Sequence, residues 1–531
     1  MALRVVGYTS DIIGGQVVVQ NSEEDTLASN DPHELLAFVG DNYTDTEREI
    51  PYSEMKVAFD LDVFLSPILK QLPMSTVRKL AGPSHQSNGL FYIPGKLFSC
   101  EVDNHKSYFY HLAQYYEDLE PPTDPMVIAG LGRDVVDAYR QMGLSPYKLT
   151  SPVSVYESEI MSHMQIPTIL DLPRGSQYEE VIDFAEACIG RLWISAYQLG
   201  HWNIGEVHGY DVQSCFAYHA SQLYNIKYAR FAKSKFLCEG ADWGFIRGKI
   251  TINDDMAVSP ILRNTNGQVL NPYGTWEDVI TLDEWHFIDK WKIGHFEPIE
   301  GWYIKFDAPV RPLEIPLQRL FDLRNKGGLV KLLAKRIANG CCYGKFIESH
   351  DDGTVGRYYN PLWAAMVSTR GRLQVAEFIY EHNLQDSLVH VGVDGLLTTK
   401  HVRIPDKVGM GLWKENPRSA ALVLSPGRVY TADKKPQGLN YDRIMEMLES
   451  KPRESYYTAK LMRRQTLAES VEAGDLAHLG ELKETHSSVD LNLLRTSQDR
   501  IFPKFPKTGS DLLTMRYVSR PLAIDDKGRG T

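Results

Sequence analysis

The chain has 531 residues, of which 43% are apolar and 11% aromatic, so it can bury a large core and is not a disordered protein. Its formal net charge of −11 argues against nonspecific coating of nucleic acid, although a local basic channel stays compatible with it. Membrane spans and a signal peptide are not expected, because no stretch approaches about 18 uncharged apolar residues and the N-terminus has no clear cleavage site. The six cysteines form no CxxC pair, which predicts free thiols in a reducing cytoplasm.

The first 150 residues have the pattern of a mixed α/β domain. A β-like run at residues 57–59 leads into Asp60-Leu61-Asp62 and then into an apolar-periodic helix. The two carboxylates could bind a metal, or they could cap the helix, since Asp is a favoured N-cap residue. Residues 89–118 are predicted to form strands joined by turns, followed by a tyrosine-rich helix.

The centre of the chain is built around Asp211, the only acid of an apolar run that passes from a strand into a helix. Residues 179–200 before it have helical periodicity. Residues 316–340 predict two helices broken at Asn325–Gly328, and residues 360–382 predict one long helix. Residues 388–400 predict a strand–turn–strand unit with Asp394 at the turn. A hairpin at 421–438 follows, and then a charged helical pattern from about 441 to 485.

Two carboxylates and a cationic helix suggest one kind of chemistry. Asp211 and Asp394 could share divalent cations, which lower the pKa of an attacking hydroxyl and bind both the attacking and the leaving oxygens. Spacings of four and five place Lys331, Lys335 and Arg336 on roughly one side of a helix, where they could bind a triphosphate. The pattern therefore indicates nucleotidyl transfer, and a solvated helix face is the simpler alternative for the cations.

Five segments, in the right order, resemble motifs of family B DNA polymerases, especially the compact enzymes of bacteriophages and mobile elements. DVQSCFAY at 211–218 resembles DxxSLYPS, KRIANGCCYGKF at 335–346 resembles KxxxNSxYG, and HVGVDGLL at 390–397 resembles YxDTDS. NPLWAAMVSTRGRLQV at 360–375 is similar to the helix NPxxAxxITxxxR, and GRVYTADKKPQG at 427–438 resembles the KxY hairpin.

The resemblance implies an α+β polymerase right hand preceded by an α/β exonuclease-like (RNase H-like) domain. The implied boundaries are 1–160 for the exonuclease-like domain, 161–310 and 347–440 for an antiparallel palm sheet with helices, 311–346 for short two-helix fingers, and 441–531 for the thumb and tail. It also implies a phage or viral replication enzyme of the host cytoplasm that adds dNTPs to the 3′-hydroxyl of a DNA primer–template. Two Mg²⁺ ions, which Mn²⁺ can replace, would be its cofactors, and accessory replication proteins would be further partners.

The resemblance also assigns roles to individual residues. Asp211 and Asp394 would be the catalytic metal ligands, with the Val212 carbonyl as a further ligand, and Phe216 would exclude a 2′-hydroxyl. The implied nucleotide-binding residues are Phe216, Lys331, Lys335, Arg336, Asn339, Tyr343 and Gly344. The implied DNA-binding residues are Lys345, Arg428, Tyr430, Lys434 and Lys435.

The sequence departs from the family pattern in several places. Gly392 stands where the family has the first Asp of DTD, and Ala217 replaces a Pro. One residue too many separates Asn339 from Tyr343, so either Arg336 or Lys335 would contact the triphosphate.

Only fragments of the exonuclease motifs occur. Asp60-Leu61-Asp62 could match DxE with Asp for Glu, Tyr92 stands where the second motif has its Asp, and a third motif is missing. This implies an exonuclease-like domain without activity, and hence no proofreading.

Two other functions stay open. One is a degenerate polymerase fold that binds DNA or scaffolds a replisome, which Gly392 favours. The other is a nuclease that uses Asp60 and Asp62. His208, His219 and His390 are expected to be packing or polar residues.

Overall fold

A computed structural model of the chain describes residues 3–524, except 41–52, 103–104, 117–118, 147, 150, 165, 173–175, 239, 255, 266–267, 351–352, 434–438 and 497–498. The chain divides into two compact units. Unit 1 comprises Met1–Met164, Asp322–Ile337 and Met462–Thr485, and unit 2 comprises Gln165–Phe321, Ala338–Leu461 and His486–Thr531.

The helices and strands are numbered in chain order. The helices are α1 Pro32–Gly40, α2 Leu61–Leu69, α3 Met74–Ala81, α4 Pro125–Gln141, α5 Pro152–Glu159, α6 Ser176–Glu186, α7 Cys215–Ser221, α8 Leu282–Trp291, α9 Glu314–Leu323, α10 Gly328–Asn339, α11 Pro361–Glu381, α12 Tyr441–Ser450, α13 Leu467–Ala473 and α14 Gly509–Thr514. The strands are β1 Leu3–Ile13, β2 Gln16–Asn21, β3 Thr26–Ser29, β4 Ser53–Ala58, β5 Gln86–Ser87, β6 Leu90–Ile93, β7 Leu97–Val102, β8 His105–His111, β9 Ile194–Ala196, β10 Gln198–Trp202, β11 His208–Val212, β12 Ala229–Ser234, β13 Trp243–Ile252, β14 Arg263–Thr265, β15 Gln268–Leu270, β16 Pro272–Thr281, β17 Gly294–Phe306, β18 Leu388–Gly392, β19 Gly395–Thr398, β20 Trp413–Glu415, β21 Ala421–Ser425, β22 Arg428–Thr431, β23 Tyr456–Arg464, β24 Leu482–Asp490, β25 Tyr517–Val518 and β26 Leu522–Ile524.

Unit 1 is built on a mixed sheet in the order β3-β2-β1-β4-β8-β7-β6-β5. β1, β4 and β8 are parallel neighbours, and the other pairs are antiparallel. Residues 55–58 of β4 are all buried, as expected for a central parallel strand covered on both faces. α4 packs closely on β1, because a Cβ at Gly132 would lie 2.7 Å from Val5 Cγ1.

Unit 2 contains the antiparallel sheet β20-β11-β19-β18-β9, which carries both candidate metal ligands. A second sheet has the order β12-β17-β13-β16-β26, and a third has the order β22-β21-β10-β25. One cluster of its hydrophobic core joins Tyr210 of β11 to Phe378 of α11, whose ring centroids are 5.5 Å apart. This packing supports β11 from one face.

Helix α11 is buried along most of its length, and its start follows from local sequence. The Asn360 side chain accepts a hydrogen bond from Trp363 N, and Pro361 occupies the first turn, where its missing N–H costs nothing. The Asn360 amide also donates to Pro167 O at 3.1 Å. Asn360 therefore caps helix α11 and also binds the backbone at Pro167.

Several predicted elements are confirmed. The two helices broken near Asn325–Gly328 are α9 and α10, the long helix is α11, and the strand–turn–strand unit around Asp394 is β18–β19. The six cysteines are free thiols. Within the described residues, no helix is long and apolar enough to cross a membrane. The predicted α+β fold class is confirmed, since the chain contains both helices and several sheets.

Three helical predictions are wrong. The tyrosine-rich segment of residues 107–111 lies in β8, because it pairs with β4 and β7. The helix that begins at Ser176 ends at Glu186, and residues 194–202 form β9 and β10. The 441–485 pattern divides into α12, β23, α13 and the start of β24. In β23, Tyr457 and Ala459 are buried at a spacing of two, which is a strand period.

Candidate active site

One predicted metal ligand lies in a strand, and the other lies in the turn before the neighbouring strand. Asp211 is in β11, and Asp394 is in the turn that joins β18 to β19. The antiparallel register pairs Asp211 with Gly395, the residue directly after Asp394. The amide of Val212 donates to Asp394 O at 2.9 Å. Sheet pairing thus brings together Asp211 and Asp394, which are 183 positions apart in the sequence.

Gly395 is required by the closeness of the two strands. A Cβ at this position would lie 2.0 Å from Asp211 Oδ1 and 2.8 Å from Tyr210 O. Only glycine leaves room for the Asp211 carboxylate beside the turn. Val393, two residues earlier, has φ of +60°, which is strained for a β-branched residue, and its amide donates to Trp193 O at 2.8 Å. The turn that carries Asp394 is therefore held in an unfavourable conformation by its neighbours.

A cavity of about 170 Å³ lies on the Asp211 face of this sheet. Its lining includes Gly209, Asp211, His390, Gly392, Gly395, Asn416, Thr431 and Asp433. The oxygen-rich part of this lining suits a hard cation such as Mg²⁺, which prefers carboxylate and carbonyl ligands. Asp211 is therefore chemically fit to hold such an ion from within the cavity, and Asp394, in the adjoining turn, offers a second carboxylate of the same kind.

The chain reverses into helix α7 directly after β11. Ser214 has φ of +53° at the start of α7, and this left-handed residue turns the strand into the helix. Burial raises the pKa of the Cys215 thiol, and the nearby Asp394 carboxylate raises it further. Cys215 is therefore an uncharged packing residue behind the carboxylate pair.

Phe216 lies next to Tyr343. Their ring centroids are 5.3 Å apart, and Gly371 of α11 leaves space for both Cys215 and Phe216. The Tyr343 hydroxyl accepts a hydrogen bond from Gly190 N at 3.3 Å, and burial raises its pKa. Both rings are partly exposed, so they can form one wall of a binding site.

The extra residue between Asn339 and Tyr343 is absorbed by a π-helical turn at Gly340–Gly344. A π turn inserts one residue into an α-helix without ending it. The Lys345 amide donates to Gly340 O, which is the five-residue step of this geometry. Residues before the turn therefore follow the register of Asn339, and residues after it follow the register of Tyr343.

The predicted cations differ in their surroundings. Lys331 and Lys335 of α10 are exposed, whereas Arg336 is partly buried in unit 1 and donates to Gln114 O. Lys345 pairs with Glu348 at 3.0 Å and its side chain is 14% exposed. Arg428 is exposed on β22, and burial raises the pKa of Tyr430 on the same strand. Lys434 and Lys435 lie outside the described residues.

Gly392 occurs beside a buried histidine. A Cβ at Gly392 would lie 3.2 Å from His390 Cε1, so an aspartate there would require the imidazole to shift. His390 is 7% exposed and lines the cavity on the Asp211 face. His219 is also buried and bonds Gln374 at 2.9 Å, as a packing residue does.

In unit 1, Asp60 and Asp62 have structural partners. Asp60 is the N-cap of α2 and accepts hydrogen bonds from Asp62 N and Val63 N. Asp62 accepts from the Tyr92 hydroxyl and from Gly95 N, and burial together with Asp62 raises the pKa of Tyr92. Of the two alternatives for this pair, the helix cap is therefore observed.

Sequence reasoning missed two features of the site. Gly395 follows Asp394 in a predicted turn, but the requirement for glycine at this position arises from the partner strand β11, which is distant in the sequence. Asp433 lines the cavity, and the lone acid after the 428–431 strand is the only signal that could have drawn attention to it.

The chain has the fold of a phage-type DNA polymerase. Three solved structures of Phi29 DNA polymerase share the fold, each at 11% identity over 92% of this chain and 100% of the other. The ternary complex with primer-template DNA and incoming nucleotide substrates has a TM-score of 0.58. The post-translocation binary complex with primer-template DNA and the orthorhombic crystal form each have 0.56.

No family model matches this sequence, and no curated protein matches it either. The predicted resemblance to a compact phage polymerase is thus confirmed in the fold.

Proposed function

We propose that the chain is a template-directed DNA polymerase that adds dNTPs to the 3′-hydroxyl of a primer. One observation carries the proposal: β11 pairs with β19 so that Asp211 meets the turn bearing Asp394, in a chain with the fold of Phi29 DNA polymerase. One solved neighbour is a complex with primer-template DNA and incoming nucleotide substrates, and another is a complex with primer-template DNA, which supports the same partners here.

Asp211 and Asp394 would hold two Mg²⁺ ions, with the Val212 carbonyl as a further ligand. When bound, such ions activate the attacking hydroxyl and stabilise the leaving pyrophosphate. The protein's own contribution is to hold both carboxylates in place: Gly395 admits Asp211, and the strained turn at Val393 orients Asp394. No covalent intermediate on the protein is needed.

Phe216 and Tyr343 would select and position the nucleotide. The Phe216 ring would meet a 2′-hydroxyl and so favour deoxynucleotides, and Tyr343 with Gly344 would pack beneath the new base pair. The π turn supports both assignments, since Asn339 and Tyr343 can each keep the place that the family gives them.

Among the cations, the π turn favours Lys335 as the residue that contacts the triphosphate. Lys335 lies four residues before Asn339, as in the pattern KxxxN, and its side chain is exposed. Arg336 is already hydrogen-bonded to Gln114 O, so we assign it to the packing of unit 1. Lys331 would add charge one turn earlier. Lys345, Arg428, Tyr430, Lys434 and Lys435 would contact DNA.

Primer extension tests the proposal. Wild type should extend a short DNA primer on a template with Mg²⁺ and four dNTPs, and Asp211→Ala and Asp394→Ala should each lose at least about a hundredfold in rate. Asp386→Ala, an acid of the same region outside the site, is the matched control and should keep activity. Wild-type protein that binds the duplex but never extends it, with either Mg²⁺ or Mn²⁺, would contradict the proposal.

A scaffold without catalysis is the second candidate, favoured by Gly392 and the His390 ring beside it. The two functions differ in metal binding. A polymerase should bind Mn²⁺ at a site that weakens in Asp394→Ala, whereas a scaffold should show no binding that depends on Asp394.

We also propose that the chain lacks proofreading, because Asp60 and Asp62 are engaged in capping and in the Tyr92 contact. A 3′-labelled single-stranded DNA should stay intact with Mg²⁺ present. Digestion that disappears in Asp60→Ala would support the nuclease alternative instead.

A further inference from the structure

A group of three side chains on the sheet of Asp211 has no role in the proposed polymerase reaction. His208 starts β11, Glu415 ends β20, and His401 lies in the connection that follows β19. Their ligand atoms lie within 4.8 Å of one another. His208 Nδ1 is 3.7 Å from Glu415 Oε1, and His401 Nε2 is 3.4 Å from Glu415 Oε2.

The geometry of His208 is unusual for a plain packing residue. Its side chain is 9% exposed, and within the described residues its buried Nδ1 has no hydrogen-bond partner. A distance of 3.7 Å to the nearest carboxylate oxygen is too long for a hydrogen bond. A buried nitrogen without a partner costs free energy, so a ligand that uses it would stabilise the protein.

The spacing suits a metal ion better than an ion pair. Ligand atoms around tetrahedral zinc lie about 3.3 Å apart, given Zn–N and Zn–O bonds of about 2.0 Å. The two measured separations, to the two oxygens of Glu415, are close to this value, and all three ligand atoms lie within 4.8 Å of one another, so side-chain movements of about 1–1.5 Å would complete the geometry. His401 and Glu415 are 43% and 30% exposed, so an ion could enter from solvent.

The donor set distinguishes this group from the carboxylate pair. Two imidazoles and one carboxylate favour Zn²⁺ among the common divalent cations, whereas Mg²⁺ prefers oxygen ligands. Three protein ligands leave a fourth position for water. The group is also on the other face of β11 from Asp211, because side chains of a strand alternate and the two residues are three apart.

We propose that His208, His401 and Glu415 bind a Zn²⁺ ion that fastens residues 399–412 to the strand of Asp211. This connection already contacts β11 and the residue after it: the Tyr210 hydroxyl bonds the backbone of Val402 at 2.7 and 3.0 Å, and Gln213 Nε2 donates to Lys407 O at 2.9 Å. Backbone hydrogen bonds also join Gln213 to Gly411 and Leu412, and the ion adds a further attachment at the start of β11.

Zinc titration of the full chain tests the site. Chelator-treated protein is titrated with ZnCl₂ in competition with a chromogenic chelator, and Co²⁺ replaces Zn²⁺ in a parallel visible-absorption experiment. We expect one Zn²⁺ per chain, tetrahedral Co²⁺ bands, and a rise in Tm on Zn²⁺ addition. Both His401→Gln and Glu415→Gln should weaken binding by about tenfold or more.

His295→Gln is the matched control. His295 and Glu297 form another His–Glu pair at 3.8 Å, but they are exposed and no third ligand is near enough to join them among the described residues. This variant should bind Zn²⁺ like wild type. Absence of Zn²⁺ binding in wild type, or equal affinity in wild type and His401→Gln, would overturn the proposal.

The outcome is independent of polymerase activity. Asp211→Ala should abolish primer extension and leave the Zn²⁺ stoichiometry at one. If the wild-type protein does not extend primers, the zinc titration can still be interpreted. If it binds no Zn²⁺, the primer-extension result can still be interpreted.

Discussion

At the scale of single residues, Gly395 connects the fold to the chemistry. Its missing side chain is what allows Asp211 to stand beside the turn of Asp394. We expect Gly395→Ala to displace the Asp211 carboxylate and to lower the rate of primer extension by about a hundredfold, because small misplacements at a reacting centre have effects of that size. Steady-state extension and thermal unfolding should be measured together.

The control for this change is Gly130→Ala, on helix α4, where a Cβ would have no atom closer than 3.9 Å. It should extend primers like wild type and be at least as stable, since Ala favours helix. A Gly395→Ala enzyme with unchanged activity would show that Asp211 does not act from its observed position.

In the proposed function, Phe216 governs a second property of the site, the choice of sugar. Its ring, held between Gly371 and Tyr343, would meet a 2′-hydroxyl. We expect Phe216→Ala to reduce the ratio of kcat/KM for dNTP over rNTP by about tenfold or more, since a lost steric contact of this kind is worth roughly 1–3 kcal/mol. Phe236→Ala, at a ring that is 79% exposed, should leave the ratio unchanged. An equal loss of incorporation for both sugars would instead indicate a packing role.

At the scale of elements, helices α8 and α11 are joined by a buried ion pair. Arg372 Nη2 is 2.5 Å from Glu284 Oε1, and both side chains are at most 2% exposed. Arg372 also donates to Arg191 O, and Glu284 closes the capping box of α8 with Thr281. Burial lowers the pKa of Arg372, and the Glu284 carboxylate beside it acts in the opposite direction.

We expect Glu284→Ala to lower the free energy of unfolding by about 3–5 kcal/mol, because it leaves the Arg372 charge buried without its partner. Arg370 and Asp283 form the matched control: they join the same two helices at 2.7 Å, but their side chains are 25% and 23% exposed. Asp283→Ala should cost only about 0–1 kcal/mol. Denaturant unfolding measures the free energy of unfolding of both variants. Equal losses of free energy would mean that burial of the ion pair does not determine how much its removal costs.

At the scale of the whole molecule, a net charge of −11 must be reconciled with the proposed binding of DNA. Local cations have to act against the overall charge, so we expect affinity for a primer–template to fall steeply with salt. The slope of log K against log salt should be about −0.9 per phosphate contacted. Arg428→Ala should reduce its magnitude by about one unit if Arg428 touches a phosphate.

Lys79→Ala, at an exposed cation on α3, is the comparison for this measurement. It should not change the slope. The same reduction in both variants would mean that Arg428 acts only through general charge.

Local sequence was sufficient wherever neighbours along the chain decide the structure. The break between α9 and α10 follows from Gly327 and Gly328, the start of α11 follows from Asn360-Pro361, and the turn at Asp394 follows from its flanking apolar runs. Periodicity failed at β8 and β23, because those segments become strands only through their partners. Tyrosine-rich and charged runs are compatible with either a helix or a strand, and pairing with a neighbouring strand decides between the two.

For the site, the sequence alone determined which side chains could do the chemistry: two lone carboxylates at strand ends, an aromatic residue after the first, and cations on one helix. Only the tertiary structure decided which of them meet. The β11–β19 register joins Asp211 to the Asp394 turn, and the π turn at Gly340–Gly344 absorbs the extra residue. The pairing of β11 with β20 brings His208 near Glu415, which His401 also approaches. The physical reason is that strand register and side-chain proximity are set by contacts between residues far apart in the chain, which no local pattern encodes.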